Sequence, residues 1–354
     1  MKTNILLLIF FSFSISYAQI DKTYTSISDG LKNPEKVFIL KLKYINNIPK
    51  SILEFKRLKE LHISESNITS LPNFIGGFKN LEYLIVTGNK LTQLPNSIGK
   101  LSKLIQLNVS SNELKELPES ISKLTSLHFL TISYNKISKL PSKIGKLENL
   151  EEFWANSNFI EGVPKSFKEL DLLNWISLAD NKIQNINSEL FDLEKLHNLN
   201  LAGNQISEIP KEISNLKKLG ILDLHENNLS TLPNSIGQLQ NVCCIFLMKN
   251  QITELPKTIS NLADIKEICV NENPILKNED KISKDDIRFF LGYSGWDDQQ
   301  LDNELQSNAW LVSENVYDNN IIAKPCNSFW REKMLELGGD YSIWSNAPEN
   351  PSYN

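Results

Sequence analysis

The sequence LIQLNVSSNELKELP, residues 104–118, decides the fold because it recurs along the chain at a fixed interval. The same arrangement of leucine, asparagine and proline returns as LHFLTISYNKISKLP at 127–141 and as LGILDLHENNLSTLP at 219–233. The step from Leu104 to Leu127 is one period, and it repeats without a slip in register. A strict period of this length predicts a solenoid of stacked repeats, in which each repeat buries its apolar side against its neighbours.

One asparagine occupies the same place in each of nine consecutive repeats. Its side-chain amide offers two donors and one acceptor oxygen, which suits a turn whose backbone groups have no strand or helix partners. We therefore expect these asparagines to stack as a structural ladder inside the solenoid. The column consists of Asn89, Asn112, Asn135, Asn158, Asn181, Asn204, Asn227, Asn250 and Asn273.

The pattern weakens at its N-terminal end and at two internal positions. Counting back from Asn89 by one period and then by a second places Ser66 and Lys43 in the asparagine column. Ala155 stands where the second leucine of the strand is expected, and Asn187 replaces the proline that follows the last apolar position. These two departures predict a local irregularity near the middle of the array.

Each repeat also alternates apolar and polar residues, as a half-buried strand does: Leu107 and Val109 are expected to point inward. A second shared piece reads LPNSIGKL at 94–101, LPSKIGKL at 140–147 and LPNSIGQL at 232–239. Over about residues 35–275 the chain resembles the leucine-rich-repeat family, in particular the Ras-group-related repeats of plants and their bacterial relatives. The resemblance implies an α/β-type horseshoe solenoid with a parallel concave sheet and a convex side of 3-10 or irregular segments.

The chain divides into four segments. Lys2, the apolar run 5–15 and the small residues around Ala18 predict a signal peptide over 1–18, cleaved after Ala18. A membrane anchor is the alternative, although the run is shorter than the roughly 20 residues of a spanning helix. An N-terminal cap is expected over 19–34. About ten repeats of the same period are expected over 35–276, and an acidic capping or interaction segment is expected over 277–354.

This division predicts a protein that is secreted, periplasmic or on the cell surface, with no transmembrane segment in the mature chain. The acidic C-terminal segment shows no repeat, and its motifs indicate no family. Its aromatic residues argue for packed structure rather than a disordered tail; they are Trp296, Trp310, Phe329, Trp330 and Trp344. A Cys269–Cys326 disulfide requires this segment to fold back over the last repeats.

The outward strand positions form the concave face, where large aromatic side chains are expected to bind a partner. Tyrosine and tryptophan dominate binding hot spots in known interfaces. Phe129, Trp154 and Trp175 fall on consecutive repeats, whereas Tyr83 and Tyr134 lie nearby. A mutual stacking role without a ligand is the alternative. Further along, Phe246 is placed with Ile221, Cys244 and Met248 in a second apolar group, which either binds a partner or is covered by the C-terminal segment.

Serine, threonine and asparagine occupy most other concave positions, so the sequence predicts a protein or peptide partner and leaves a carbohydrate open. The alternative function is a structural or surface scaffold attached through the C-terminal segment. The oligomeric state is left undetermined. Small-GTPase signalling, which the Ras-group resemblance suggests, is not expected outside the cytosol.

Composition and motifs argue against several other functions. The net charge is −5, whereas nucleic-acid binding requires a basic surface. The four histidines lie on different repeats and none has a partner at metal-ligand spacing. The sequence shows no phosphate-binding glycine loop, nucleophile elbow or calcium loop. We therefore expect no enzyme activity, no metal and no cofactor.

Overall fold

The computed structural model describes residues 22–277, which form one solenoid with twelve parallel strands in a single sheet. Each strand pairs with the strands before and after it in sequence. The predicted leucine-rich-repeat architecture is confirmed. The strands are β1 Thr23–Tyr24, β2 Ile39–Lys43, β3 Glu60–Ser64, β4 Tyr83–Ile85, β5 Gln106–Asn108, β6 Phe129–Thr131, β7 Glu152–Trp154, β8 Trp175–Ser177, β9 Asn198–Asn200, β10 Ile221–Asp223, β11 Cys244–Phe246 and β12 Glu267–Cys269.

The convex side consists of short 3-10 helices, one in each coil. They approach one another so closely that a side chain on Gly99 would place its Cβ 2.3 Å from the carbonyl oxygen of Ser120. This contact explains the glycine of the LPNSIGKL piece. The helices span Pro34–Lys36, Lys50–Glu54, Asn73–Gly77, Asn96–Lys100, Glu119–Lys123, Ile144–Lys146, Lys165–Glu169, Ser188–Asp192, Lys211–Asn215, Asn234–Gln238, Lys257–Asn261 and Pro274–Lys277, and a single α-helical turn, α1, spans Ile27–Gly30.

The core lies between the sheet and the 3-10 helices and is built from the repeated leucines and isoleucines. Leu107 and Val109 on the β5 coil, with Ile98 and Leu101 on the convex side, are fully or almost fully buried. Because every coil contributes the same set, one continuous core runs from the first coil to the last. Within residues 22–277, no helix has the length and apolar character needed to cross a bilayer.

The asparagine column lies at the turn that follows each strand. Asn135 donates from its amide nitrogen to the carbonyls of Val109 and Ile132, at 3.0 Å each, and of Ser133 at 3.2 Å. Its amide oxygen accepts the backbone N–H of Leu114 at 3.0 Å. One buried side chain therefore satisfies backbone groups of its own coil and of the coil before it.

A sharp backbone turn precedes every ladder position. The residue immediately before each of the nine ladder asparagines has a positive φ, as do Tyr44 before Ile45 and Glu65 before Ser66, and only Gly88 and Gly203 among them are glycines. Non-glycine residues adopt this region at a cost in free energy, which the hydrogen bonds between neighbouring coils help to offset, as in Tyr134 N–H to the carbonyl of Asn156 at 2.8 Å. The non-glycine residues are Tyr44, Glu65, Ser111, Tyr134, Ser157, Asp180, Glu226, Lys249 and Glu272.

The first coil is shorter than the period predicts, so the placement of Lys43 in the asparagine column is wrong. The register of β2 against β3 pairs Lys43 with Ser64 in the sheet, and not with Ser66 as the period requires. The Lys43 ammonium instead lies 2.7 Å from the Glu65 carboxylate, in solvent. Ser66 does occupy the column: its hydroxyl accepts the N–H of Ile45 at 3.0 Å.

The two internal departures do not interrupt the solenoid, contrary to the predicted irregularity. The N–H of Ala155 donates to the backbone carbonyl of Ser177 at 2.8 Å, and the equivalent residues of other coils make the same bond to the next coil. Phe153 and Phe167 are both buried and pack edge to face at 5.5 Å, which supplies apolar volume in the coil of the small Ala155. Asn187 has φ −74° and ψ 146°, the extended conformation of the prolines it replaces.

The ladder predicts a measurable loss of stability at mid-array. Asn135→Ala removes one buried acceptor and leaves several buried carbonyls without their donor, at a cost of roughly 1–3 kcal/mol for each unsatisfied group. We expect a total loss of about 2–4 kcal/mol, measured by urea denaturation. Asn149→Ala is the matched control, because half-buried Asn149 donates one side-chain hydrogen bond, to the carbonyl of Thr125. Equal stability of the two variants would contradict a structural role for the ladder.

Candidate ligand-binding surface

The concave sheet brings the predicted aromatic residues of three coils together. Strands β6, β7 and β8 are adjacent, and their register places Phe129 beside Glu152 and Glu152 beside Trp175. Trp154 lies beside Thr131 and Ser177 in the next column. We call Phe129, Glu152, Trp154 and Trp175 the aromatic patch. All four side chains are half-buried, so they form part of a surface rather than of the core.

The two tryptophans of the aromatic patch stack on each other. The ring centroids of Trp154 and Trp175 are 5.0 Å apart and the ring planes are inclined by 24°. Stacked aromatic pairs contribute about 0.5–1.5 kcal/mol beyond the area that they bury. The rings therefore have a fixed orientation on a rigid sheet, and a ligand finds a preformed apolar platform.

Glu152 lies between Phe129 and Trp175 in the sheet and accepts a hydrogen bond from Trp154. The indole N–H of Trp154 donates to its carboxylate at 3.0 Å. Burial of the carboxyl raises the pKa of Glu152, the Trp154 hydrogen bond opposes this shift, and the charge of Glu151 adds to it. In the sequence Glu152 looks like an ordinary surface acid, because alternation shows its direction but not its burial among aromatic rings.

A polar network borders the aromatic patch. The amide oxygen of Asn156 accepts the Ser177 hydroxyl at 2.6 Å and the Ala179 N–H at 3.0 Å. The N–H of Asn156 in turn donates to the Ser133 hydroxyl at 3.1 Å. Because its oxygen is occupied, Asn156 is held with its amide nitrogen available as a donor beside the tryptophans.

The remaining predicted aromatic residues lie apart from the aromatic patch. Tyr134 is 49% exposed and belongs to the turn after β6, where its φ is 56°. Tyr83 is half-buried on β4, two strands before β6. Phe246 is only 2% exposed. Its ring is buried in a cluster with Cys244 and Cys269, and its predicted contact with a partner stays a prediction.

The second apolar group is thus a buried cluster on β10 to β12. Ile221 and Met248 pack against it and are half-buried. Cys243 and Cys244 are free thiols with their sulfur atoms 3.4 Å apart. The hydrogen bond from Cys244 lowers the pKa of Cys243 to about 7, against the effect of burial, and nearby Lys266 assists. The predicted Cys269–Cys326 pairing involves a residue outside the described range.

One acid–base pair on the sheet is not evident from the sequence, in which His225 looks like a strand-edge residue. Its Nδ1 lies 2.6 Å from the carboxylate of buried Asp223. Burial favours the neutral ring, but the hydrogen bond and charge of Asp223, with the charges of Glu226 and Asp180, raise the pKa of His225. The i, i+2 spacing on one strand face was the available signal. Across residues 22–277, no group of three or more histidine, cysteine or acidic side chains could hold a metal ion.

The raised pKa of Glu152 predicts a titration at Trp154. We expect the indole ¹H–¹⁵N resonance of Trp154, assigned with Trp154→Phe, to shift with a midpoint above the usual value of about 4.3 for glutamate. In Glu152→Gln this titration should disappear. A resonance that is unaffected by Glu152→Gln would contradict the described hydrogen bond.

The raised pKa of Glu152 also makes the stability of the fold depend on pH. Because the pKa of Glu152 is higher in the folded chain than in the unfolded chain, the folded state is favoured at pH values below the unfolded pKa. That advantage is lost as the pH rises through the folded pKa. Glu152→Gln should therefore be at least as stable as the wild type at pH 7 in urea denaturation.

The C-terminal part of the chain is similar to a second family. The family model described as AlgH-like (DUF179) matches residues 237–342, so the acidic segment resembles a family that its own motifs did not indicate. A UPF0301 protein of Bacteroides thetaiotaomicron is 47% identical over 70 residues, 19% of this chain and 34% of the relative. UPF0301 protein BF2109 of Bacteroides fragilis is 39% identical over 91 residues, 25% of this chain and 41% of the relative. The chain spans less than half the length of these curated relatives.

The solenoid is similar to several solved structures. A TDR receptor matches with a TM-score of 0.59 and 27% identity, over 66% of this chain and 42% of the receptor chain. An internalin of Listeria monocytogenes matches with a TM-score of 0.54 and 26% identity, over 69% and 76% of the two chains. PEPR1–AtPEP1 matches with a TM-score of 0.54 and 26% identity, over 66% and 38%.

The repeats themselves match two family models. The model of the leucine-rich repeat region matches residues 79–176, 106–202 and 165–284, and the model of two leucine-rich repeats matches 56–99. Together these matches cover more than half of the chain, and their span contains strands β3 to β12. The chain belongs to the leucine-rich-repeat family.

Proposed function

We propose that this chain is a binding protein that acts outside the cytosol and holds a protein or peptide on the concave face of its repeats. The aromatic patch is the proposed contact surface. The proposal concerns the repeat region and assigns it no catalytic role. Residues beyond the repeats, which resemble part of the AlgH-like proteins, are outside its scope.

The stacked pair Trp154–Trp175 is the observation that carries the proposal. Indole rings supply a large apolar contact area with little conformational freedom to lose, and residues of this type dominate binding energies at interfaces. Both rings project from the sheet, where the core needs neither of them: Phe153 and Ile176 fill the inward positions of the same strands.

The scaffold supports the same function. Parallel strands held by the asparagine ladder fix the spacing of the contact residues before a partner arrives, which reduces the ordering cost of binding. Among the solved structures of similar fold, one is a receptor. Asn156 and Ser177 add oriented polar groups beside the rings, which a peptide backbone can use.

The location rests on the predicted signal peptide. Residues 1–18 lie outside the described residues, so the proposal that the chain is secreted, periplasmic or at the cell surface depends on their sequence alone. Mass spectrometry of the N-terminal peptide of the mature protein from its native source should show a chain that begins at Gln19, directly after Ala18, with the glutamine free or cyclised to pyroglutamate. A mature protein that retains Lys2 would overturn the secretory part of the proposal.

Selection from a displayed library of random peptides on the immobilised chain tests the binding function. We expect peptides that bind the wild type and lose at least tenfold in affinity for Trp154→Ala/Trp175→Ala. Tyr44→Ala/Phe159→Ala is the matched control, because these exposed aromatic residues lie outside the strands. Near-UV and far-UV circular dichroism verify that both double variants are folded.

Two results would contradict the proposed function. Selected peptides that bind Trp154→Ala/Trp175→Ala as well as the wild type would remove the aromatic patch from the contact surface. Failure to select any peptide, together with specific binding to a glycan array, would replace the protein or peptide partner with a carbohydrate.

A further inference from the structure

From β3 to β12 the outward strand positions contain four acidic side chains and two histidines, His62 and His225, but no lysine or arginine. Four carboxylates occupy these positions, and none of the outward positions from Glu60 to Asn271 in the described strands and their ends is lysine or arginine. The four acids are Glu60, Glu152, Asp223 and Glu267. Glu152 is the one of these acids that lies within the aromatic patch.

Lysines are found on the convex side and on the outward face of β2, where Lys41 and Lys43 are exposed. Lys100, Lys123 and Lys146 end successive 3-10 helices on the convex side. The lysine–glutamate pairs also lie there or on the flanks, as in Lys146–Glu169 at 3.0 Å. Within the aromatic patch, far from the lysines of β2, Glu152 supplies the one acidic group, and an acidic site favours a partner of the opposite charge.

Glu152 differs from two of the other acids in its surroundings. Glu60 has His62 at 3.5 Å, and Asp223 has His225 at 2.6 Å. Among residues 22–277, no lysine, arginine or histidine forms an ion pair with Glu152. A partly buried carboxylate with one neutral donor, the Trp154 indole, is poorly compensated for the water that it has lost.

Aromatic rings and a carboxylate together form a receptor for an organic cation. Indole faces attract a cation within about 6 Å of the ring centroid, and the attraction grows when water is excluded. Arginine adds a planar guanidinium that stacks on a ring and donates two hydrogen bonds to one carboxylate. The aromatic patch holds both elements on adjacent strands, since Glu152 lies between Phe129 and Trp175 in the register.

We infer that the protein or peptide partner presents a cationic side chain, arginine or lysine, to the aromatic patch, where it stacks on Trp154 and pairs with Glu152. The inference rests on the proposed function and specifies its partner as basic. The chain's own C-terminal segment fits this surface poorly, because residues 277–354 are predominantly acidic and like charges repel.

Two synthetic peptides of one length test the cation directly. We expect acetyl-Gly-Arg-Gly-Arg-Gly-amide to bind the full chain at low salt, measured by isothermal titration calorimetry. The same peptide with citrulline in place of arginine keeps the shape and loses the charge, and it should bind at least tenfold more weakly. Raising the salt concentration should weaken only the arginine peptide, since exposed charges are screened.

The variant Glu152→Gln tests whether the carboxylate of Glu152 causes the preference for the arginine peptide. This variant keeps an acceptor for the Trp154 indole and removes the charge, so it should lose five- to tenfold in affinity for the arginine peptide and none for the citrulline peptide. Glu208→Gln is the matched control, because Glu208 is an exposed acid between β9 and β10. It should bind both peptides as the wild type does.

The outcomes separate this inference from the proposed function. The inference of a cationic partner fails if the arginine and citrulline peptides bind equally, or if Glu152→Gln binds the arginine peptide as the wild type does. Neither result contradicts the proposed binding of peptides at the tryptophans. Preferential binding of acetyl-Gly-Glu-Gly-Glu-Gly-amide also overturns it and points to an acidic occupant such as the C-terminal segment. If Trp154→Ala/Trp175→Ala leaves the affinities of the library-selected peptides unchanged, the proposed function itself fails.

Discussion

The buried asparagine at each turn is the interaction on which the rest of the structure depends. One coil of the solenoid leaves many backbone groups without helix or sheet partners, and burial of such groups is costly unless each finds a hydrogen bond. The ladder asparagines from Asn112 to Asn273 bond the coil before them as well as their own. The asparagine follows a residue of positive φ in each of these coils, so the turn, the strand register and the core recur together with the same period.

The regular ladder has a direct consequence for binding. Because each coil adds one strand in fixed register, residues one period apart become neighbours about 4.8 Å apart. Phe129, Glu152 and Trp175 are therefore adjacent on the sheet although two full periods of sequence separate the first from the last. The core is satisfied by the inward residues alone, which leaves the outward positions free to vary. A binding surface of aromatic rings and carboxylates can form there without disturbing the fold.

Most of the fold and part of the candidate site followed from the sequence for this physical reason. The period placed Trp154 and Trp175 on neighbouring strands of one face, which strand alternation alone can specify. The period wrongly predicted that Lys43 lies in the asparagine column, because the first coil is shorter than the others and nothing in its composition shows where residues are missing. The burial of Phe246 could not be predicted from the period either, because alternation directs a side chain outward but does not show what surrounds it. The poorly compensated charge of Glu152 depends on three-dimensional neighbours, so no spacing could reveal it.

The central claim is that a partner covers the aromatic patch, and hydroxyl-radical footprinting of the full chain with a peptide selected from the library tests it most directly. The account predicts that oxidation of Trp154 and Trp175 falls several-fold in the complex, whereas exposed Tyr44 and Phe159 are oxidised as in the free chain. Protection of other residues, with unchanged oxidation of both tryptophans, would contradict the account.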